Sequence, residues 1–398
     1  MADSNRIQLA YAPETTFNTH PSSGGDWTAL RILSESLKAD LSVASSNEIR
    51  AYRDIPALNQ TDKSVSGSIE QSLYYDDNAT AKLMRYALGS GAFSGQTTLV
   101  SADATTTVQS ARSFTVSSID HAPTAGEWIY VSGSAHTATN GYHQVATVGS
   151  NTFTVMSAIG ADESGRTMTI VQLGEITNGV TFTSHSIERS YTDLSNQAET
   201  FTGCAINGFS VDASGQDTVK FSTDWVGVNA SSDTGGVETV DNASATTTEM
   251  TSINGVQWVR EGQGAGNVAD MDALGFTFNV TNNLRKKYKL GTLGADAMAL
   301  GDFVVTGTLQ AYFATNTLFD KFLNQTATGL SIGISDEATA QGNAYIFDFP
   351  NVKFTDGQRV AGGRNQDIIA DMTWQATYGS ELTPSRAYTM KVAKIASS

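Results

Sequence analysis

Residues capable of chemistry occur throughout this sequence, but none sit at the spacing that chemistry requires. The stretch Gly262-Gln263-Gly264-Ala265-Gly266-Asn267 has the composition of a phosphate-binding loop. Such a loop needs a strand before it, a helix after it and a lysine to reach the phosphates, and none of these is legible there. The five histidines (His20, His121, His136, His143 and His185) are scattered without metal-ligand spacing, and His136 and His143 read as surface-loop residues. A lone Cys204 permits neither a disulfide framework nor a cysteine–zinc cluster, and reads as a small buried hydrophobe. The carboxylate pair Asp76-Asp77 reads as a helix cap. The expectation is a chain that is not an enzyme, with no catalytic residue, no metal and no cofactor.

Charge narrows the partners. With 24 Lys+Arg against 40 Asp+Glu the net charge is −16, too few cations for a protein that grips nucleic acid through clustered phosphate contacts. An acidic protein can still handle DNA if its task is to let the polymer pass without sticking. The basic run Arg285-Lys286-Lys287-Tyr288-Lys289 reads as a contact to an acidic surface of another molecule rather than as a nucleic-acid patch. No run of 18 apolar residues is present, so no membrane helix is expected.

The elements that must position these residues are repeated. Val65-Ser66-Gly67-Ser68-Ile69-Glu70 returns as Val305-Thr306-Gly307-Thr308-Leu309-Gln310. Each copy is followed by a short helix pattern, Asn78 to Leu88 with Asp77 or Asn78 as cap and Gly89 as stop, and Thr317 to Leu323 capped near Asn316. Each is preceded by an alternating strand, Leu37–Val43 and Phe276–Val280, and by a long polar loop, 44–63 and 281–304. A later strand ends in a tryptophan in both, Trp225 and Trp374. Duplication of one supersecondary unit with no catalytic motif suits a part for building something symmetric.

Between the halves of the first copy lie short strands with turn residues: Phe114–Val116, Trp128–Val131, His143–Val145, Phe153–Val155 and Met168–Ile170. They predict a small β-barrel or sandwich inserted on the outer surface. Trp128, Tyr130 and Tyr142 are expected to fill its core, carbohydrate stacking being the sharper alternative. The domain boundaries are then 1–90 with 175–250 for the first unit, 91–174 for the insertion and 251–398 for the second unit, with a linker over Ser231–Ser252. The fold class is all-β with short flanking helices.

Several phrases resemble the major tail tube proteins of long, non-contractile-tailed bacteriophages: Glu14-Thr15-Thr16-Phe17, Leu33-Ser34-Glu35-Ser36-Leu37, Ser46-Asn47-Glu48-Ile49-Arg50 and Ser186-Ile187-Glu188-Arg189-Ser190-Tyr191-Thr192-Asp193. Asp320-Lys321-Phe322-Leu323-Asn324 and Phe349-Pro350-Asn351-Val352-Lys353-Phe354 continue the match. The resemblance implies two packed antiparallel sheets with a flanking helix, in subunits whose stacked rings enclose a β-barrel channel for DNA. Single-domain relatives form six-membered rings with four strands each, so a duplicated chain should need three copies. Twenty-four strands about 4.8 Å apart, tilted about 40°, give a backbone diameter of about 48 Å, and about 38 Å inside the side chains, enough for a duplex.

The channel face is then expected to carry Ser66, Ser68, Glu70, Ser72, Ser222, Asp224, Thr306, Thr308, Gln310, Asp371 and Thr373, with Lys38 and Lys220 either paired to Asp40 and Asp224 or pointing between rings. Ring-to-ring contact falls to Asn47, Glu48, Arg50, Arg53, Arg285, Lys286, Lys287 and Lys289. The partners implied are further copies of the chain, tail terminator and distal tail proteins, a tape measure protein, and then double-stranded DNA held non-specifically. The implied location is the virion tail, assembled in the host cytoplasm. The rival readings are a surface or secreted adhesion module that binds carbohydrate, and a tailspike.

Overall fold

The computed structural model describes residue 3 and residues 6–21, 26–55, 57–195, 197–233, 238–244, 247–313, 315–337, 342–359, 364, 367–379 and 386–396. Parts of the expected linker, 234–237 and 245–246, lie outside the described residues.

Alternating apolar and polar residues build one continuous antiparallel sheet of eight strands. In spatial order these are Lys38–Ser45, Leu58–Ser72, Lys220–Gly227, Ala198–Ser214, Ala273–Thr281, Val304–Tyr312, Ile369–Ala376 and Ala344–Arg359. The pairing order of the first four strands recurs in the last four. Gly67 lies opposite Trp225, and Gly307 lies opposite Trp374. Both glycines mark a close approach of backbones. A Cβ on Gly67 would sit 2.6 Å from the Leu37 backbone, and one on Gly307 would sit 2.4 Å from the Trp374 ring.

A second layer covers the apolar face. The two longest strands, Ala198–Ser214 and Ala344–Arg359, run out of the eight-stranded sheet into it. There the first pairs with His185–Tyr191 and Asn229–Asp233, and the second pairs with Thr328–Ser335 and Lys391–Ile395. Between the layers lie Phe209, Phe221, Trp225, Phe278, Phe349 and Trp374, all buried, as aligned sheet packing requires. Helix α1 (Thr80–Ala87) adds Leu83, Met84 and Ala87 to this core, and Gly89 ends it at φ +60°. The residue before it is Ala79, which offers no side-chain cap; Asp76 Oδ1 accepts from the Asn78 and Ala79 N–H groups at 2.7 and 3.1 Å and shapes the turn that leads in. The expected caps Asp77 and Asn78 lie inside that turn instead. Helix α2 (Thr317–Leu323) follows Asn316 and buries no residue fully.

Six strands between Thr97 and Gln172 close into a barrel around Leu99, Phe114, Ile129, Val131, Phe153 and Ile170. The aromatic assignment needs correcting here. Trp128 and Tyr142 are outside that core, clustered with Leu173, Ile346, Ala393 and Ile395 at the junction with the rest of the chain. Trp128 stacks on Trp258 at 5.3 Å. The junction is also polar: Gln144 Nε2 donates to Asp348 at 2.9 Å, Arg260 to the Tyr142 carbonyl at 2.7 Å, and Lys391 to the Gly126 carbonyl at 2.9 Å. His143 alternates to the other side of its strand and is buried inside the barrel near Phe114 rather than in a surface loop, its ring nitrogens within 2.7 Å of Ser157 Oγ and 3.0 Å of the Thr139 carbonyl.

His185 is the other fully buried histidine, ringed by Tyr11, Tyr86 and Trp225. Burial holds its pKa down at about 3. The unfolded chain therefore takes up this proton first as pH falls. The stability tied to neutral His185 is complete above the ordinary histidine pKa of about 6.5 and is lost progressively toward 3. His185→Phe keeps the ring volume without the titration. Its acid-unfolding midpoint, followed by fluorescence, is expected to fall by roughly half a pH unit; an unmoved midpoint would remove His185 from the account.

Candidate functional site

The uncovered face of the eight-stranded sheet is polar from edge to edge. One row of directly opposed residues reads Glu70, Ser222, Ser210, Asn279, Thr306, Gln375 and Lys353. The next reads Ser72, Lys220, Asp212, Thr277, Thr308, Thr373 and Asp356. Gln310 opposes Asp371, and Ser68 opposes Asp224. The alternation that turns Phe and Trp into the core delivers hydroxyls and carboxylates to the other side. Ser66, Ser68, Glu70, Ser222, Asp224, Thr306, Thr308, Gln310, Asp371 and Thr373 thus share one face. Ser72 departs from expectation: it is on that face but buried, because the Arg31–Leu33 segment runs alongside and Leu33 N–H donates to the Glu70 carbonyl at 2.8 Å.

Ion pairing on this face is partial. Lys38 meets Asp40 at 3.0 Å as expected, and a hydrogen bond from Ser66 together with Lys38 holds the Asp40 carboxyl below its usual range. Lys220 pairs with Glu70 at 3.6 Å, not with Asp224; Glu70 lies on the adjoining strand, diagonal to it. Burial raises the Asp224 pKa. Asp40, Glu70, Asp212, Asp224, Asp356 and Asp371 against Lys38, Lys220 and Lys353 leave the face at −6 + 3 = −3.

Both edges of the sheet are open. Among the described residues Lys38–Ser45 pairs only with the hairpin side, and Asp356–Arg359 only with Ile369–Ala376. Unpaired edges of this kind are templates for another chain.

The two ends of the sheet differ. The loops after Ser45 and after Thr281 leave from one end, and α1 and α2 follow Ser72 and Tyr312 at the other. The first loop is shorter than the sequence suggests, because both strands of its hairpin continue past the core as an arm carrying Asn47, Glu48, Arg50 and Arg53 at its tip. Lys38–Ser45 is correspondingly exposed rather than half-buried, with Leu41 and Val43 in solvent. The second loop forms a small hairpin, Arg285–Lys287 with Ala297–Ala299, folded back on Ala205 and Val228. Within its basic run Tyr288 donates to Asp62 at 3.2 Å, and burial lowers the Lys286 pKa. Arg285, Lys287 and Lys289 lie beside them, Arg285 and Lys287 exposed at the hairpin strands' ends.

Sequence reasoning missed the residues that brace this wall. Glu14 accepts from the N–H of Gly203, where the long strand turns between layers at φ +62°, and from the Ser186 hydroxyl. Arg189 bonds Glu35 at 2.6 Å, Glu199 at 2.7 Å and the Leu37 carbonyl at 2.7 Å. Glu14, Glu35 and Arg189 all fall in phrases that carried the family resemblance, so their signal was present without its physical meaning.

Among the described residues no group of three or more His, Cys, Asp or Glu side chains could hold a metal ion, and no helix is long and apolar enough to cross a membrane. Cys204 is buried and its thiol pKa is pushed up by desolvation. A comparison with curated proteins finds no match to the chain. The family model for phage tail tube protein matches residues 4–376. With nearly its whole length matched, and with an all-β fold that offers two open sheet edges and a hydroxyl-rich uncovered face, this chain belongs to the phage tail tube protein family.

Proposed function

We propose that three copies of this chain close edge to edge into a ring of twenty-four wall strands, and that stacked rings enclose a channel through which the viral DNA leaves. A tail tube protein is a structural component of the virion tail. The observation that carries the ring is the joint inside the chain. Ala198–Ser214, the last wall strand of the first half, pairs with Ala273–Thr281, the first of the second half. The strands left open are the counterparts of those two, so the same joint can form between molecules. We infer from this recurrence that the chain is a fused duplication with the unit boundaries given above.

The internal joint also supplies a register. Ser210 opposes Asn279 within the chain. The residue that faces Asp371 as Ser210 faces Ser222 is Gln358, and the one that faces Thr306 and Ser66 alike is Asn279 or Lys38. Gln358 of one molecule should then oppose Lys38 of the next. Opposed residues bring their Cα atoms within about 4.5–5.5 Å, inside disulfide range. Lys38→Cys with Gln358→Cys, oxidised after assembly, should give a closed covalent trimer on a denaturing gel. Linear ladders beyond three chains, or no cross-link in assembled material, would reject the count or the register.

The acidic, hydroxyl-rich face then lines the channel and offers the polymer no strong local hold. Inside it would lie a tape measure protein and later double-stranded DNA, with terminator and distal tail proteins at the tube's ends and assembly in the host cytoplasm. The arm residues Asn47, Glu48, Arg50 and Arg53 and the run Arg285, Lys286, Lys287 and Lys289 share one end of the wall, which suits ring-to-ring contact.

A further inference from the structure

We propose that the cleft between the inserted barrel and the second unit is a binding site for a neutral saccharide. The inference goes beyond the ring reading and does not depend on it. The cleft encloses about 630 Å³, within the roughly 300–1,000 Å³ of sites that hold small organic molecules, and such sites favour domain interfaces. Tyr130, Asn140 and Tyr142 come from the barrel, and Gln257, Trp258 and Asp270 from the second unit. None of the six belongs to the eight-stranded sheet or to its open edges, so the wall gives this cleft no task.

Its two sides are fixed to each other. Arg260 donates to Asp270 Oδ1 and to the Tyr142 carbonyl, both at 2.7 Å. Trp258 is held by Trp128, stacked at 5.3 Å, and by the Arg260 guanidinium 4.2 Å from its ring centre. Gln257 Nε2 donates to the Glu337 carbonyl at 2.7 Å, and Ser157 of the barrel forms a bridge with Val268 of the second unit. Walls set in advance leave a ligand little to order.

Charge selects a neutral occupant. Arg260 and Asp270 are the one cation and the one carboxylate among the described residues of the lining, and they neutralise each other. His143, whose ring also borders the cleft, stays uncharged because burial holds its pKa down at about 3. A phosphate or carboxylate would find no free counter-charge there.

Polarity selects a hydroxylated one. The rings of Tyr130, Tyr142 and Trp258 offer surface to C–H groups, while Thr137, Asn140 and Gln257 add hydroxyl and amide groups beside them. A wholly apolar ligand would strand those polar groups; a sugar ring has a C–H face and a rim of hydroxyls. Tyr142 sharpens the choice. It is 5% exposed, and its hydroxyl is buried without a hydrogen-bond partner among the described residues. A buried hydroxyl in that state is destabilising until something satisfies it, and the cleft it lines is where a sugar hydroxyl can do so.

The test uses the full chain. Maltotriose, cellotriose and triacetylchitotriose are measured free, by saturation-transfer NMR, and within the corresponding immobilised polysaccharides, by retention. At least one is expected to bind, and sialyllactose is not. Either form bound supports the site, the pair telling a soluble sugar from a surface glycan, and neither form bound overturns it. Tyr142→Phe should weaken binding by about tenfold without lowering the unfolding midpoint, because the hydroxyl makes no bond within the described chain. Ala138→Arg, at an exposed position of the lining, should block binding altogether. Binding untouched by both changes would put the sugar elsewhere and overturn the proposal, as would a preference for the acidic trisaccharide.

Discussion

Replacing Arg189 with Ala is expected to lower the stability of the folded chain by about 3–5 kcal/mol, seen as a fall of roughly 1 M in the urea midpoint. The guanidinium is nearly enclosed, with 12% of its side chain exposed, and Glu35 is enclosed to a similar degree. Burial alone would discourage the charge, but the two carboxylates outweigh it and raise the arginine's pKa. Removing it leaves Glu35 buried without a counter-ion at the root of the arm. The second half shows what the alternative looks like. By register, Ile332 stands where Arg189 stands, Phe276 where Glu35 stands, and Phe347 where Glu199 stands. All three are buried. Exchanging a buried charged triad for packed apolar groups is often neutral or stabilising. The triple change Arg189→Ile, Glu35→Phe and Glu199→Phe should therefore recover most of what Arg189→Ala loses. If the triple variant were as unstable as the single one, the two halves would not be equivalent at this level.

That triad also shows where reading from sequence reaches its limit. The wall strands are legible because each has one dry and one wet face, so a period of two is imprinted on Phe276–Val280 or Val219–Trp225 regardless of context. Gly67 and Gly307 are legible for a similar reason, since a local backbone requirement leaves one residue type. The arm is not, because beyond the core neither face is dry, and Leu41 and Val43 mimic a half-buried strand while standing in solvent. Trp128 goes astray for another reason: it stacks on Trp258, more than 100 positions away, and no periodicity inside the barrel reports that. His143 goes astray within the barrel, where it turns inward to Ser157 and the Thr139 carbonyl on a strand whose polar residues read as a surface loop. On the polar face, alternation alone puts Glu70, Ser222, Thr306 and Asp371 on one side, whereas the burial of Ser72 and the partner of Lys220 are set by a crossing segment and a diagonal neighbour that alternation does not report.

Asp224→Lys together with Asp371→Lys should turn a passive channel into one that holds DNA. The two changes move the wall from −3 to −3 + 4 = +1 per chain, with Asp224 exposed and Asp371 half-buried on the uncovered face, away from the core. Each lysine that contacts a phosphate releases a condensed counterion, so log K gains a salt slope of about −0.9 per contact. In the proposed arrangement of three chains per ring, with rings repeated along the tube, such contacts would accumulate along every turn of the duplex. Short duplexes loaded into variant tubes are expected to be retained at 50 mM salt and released on raising it to 500 mM, conditions spanning several decades of affinity for about six contacts. Tubes of the unaltered protein should release them at both. Equal release from variant and unaltered tubes at low salt would mean that this face does not meet the duplex. Retention lost on restoring Asp224 and Asp371, and on no change to Arg285 or Lys287, would place the DNA against the strands rather than against the loops at the rim.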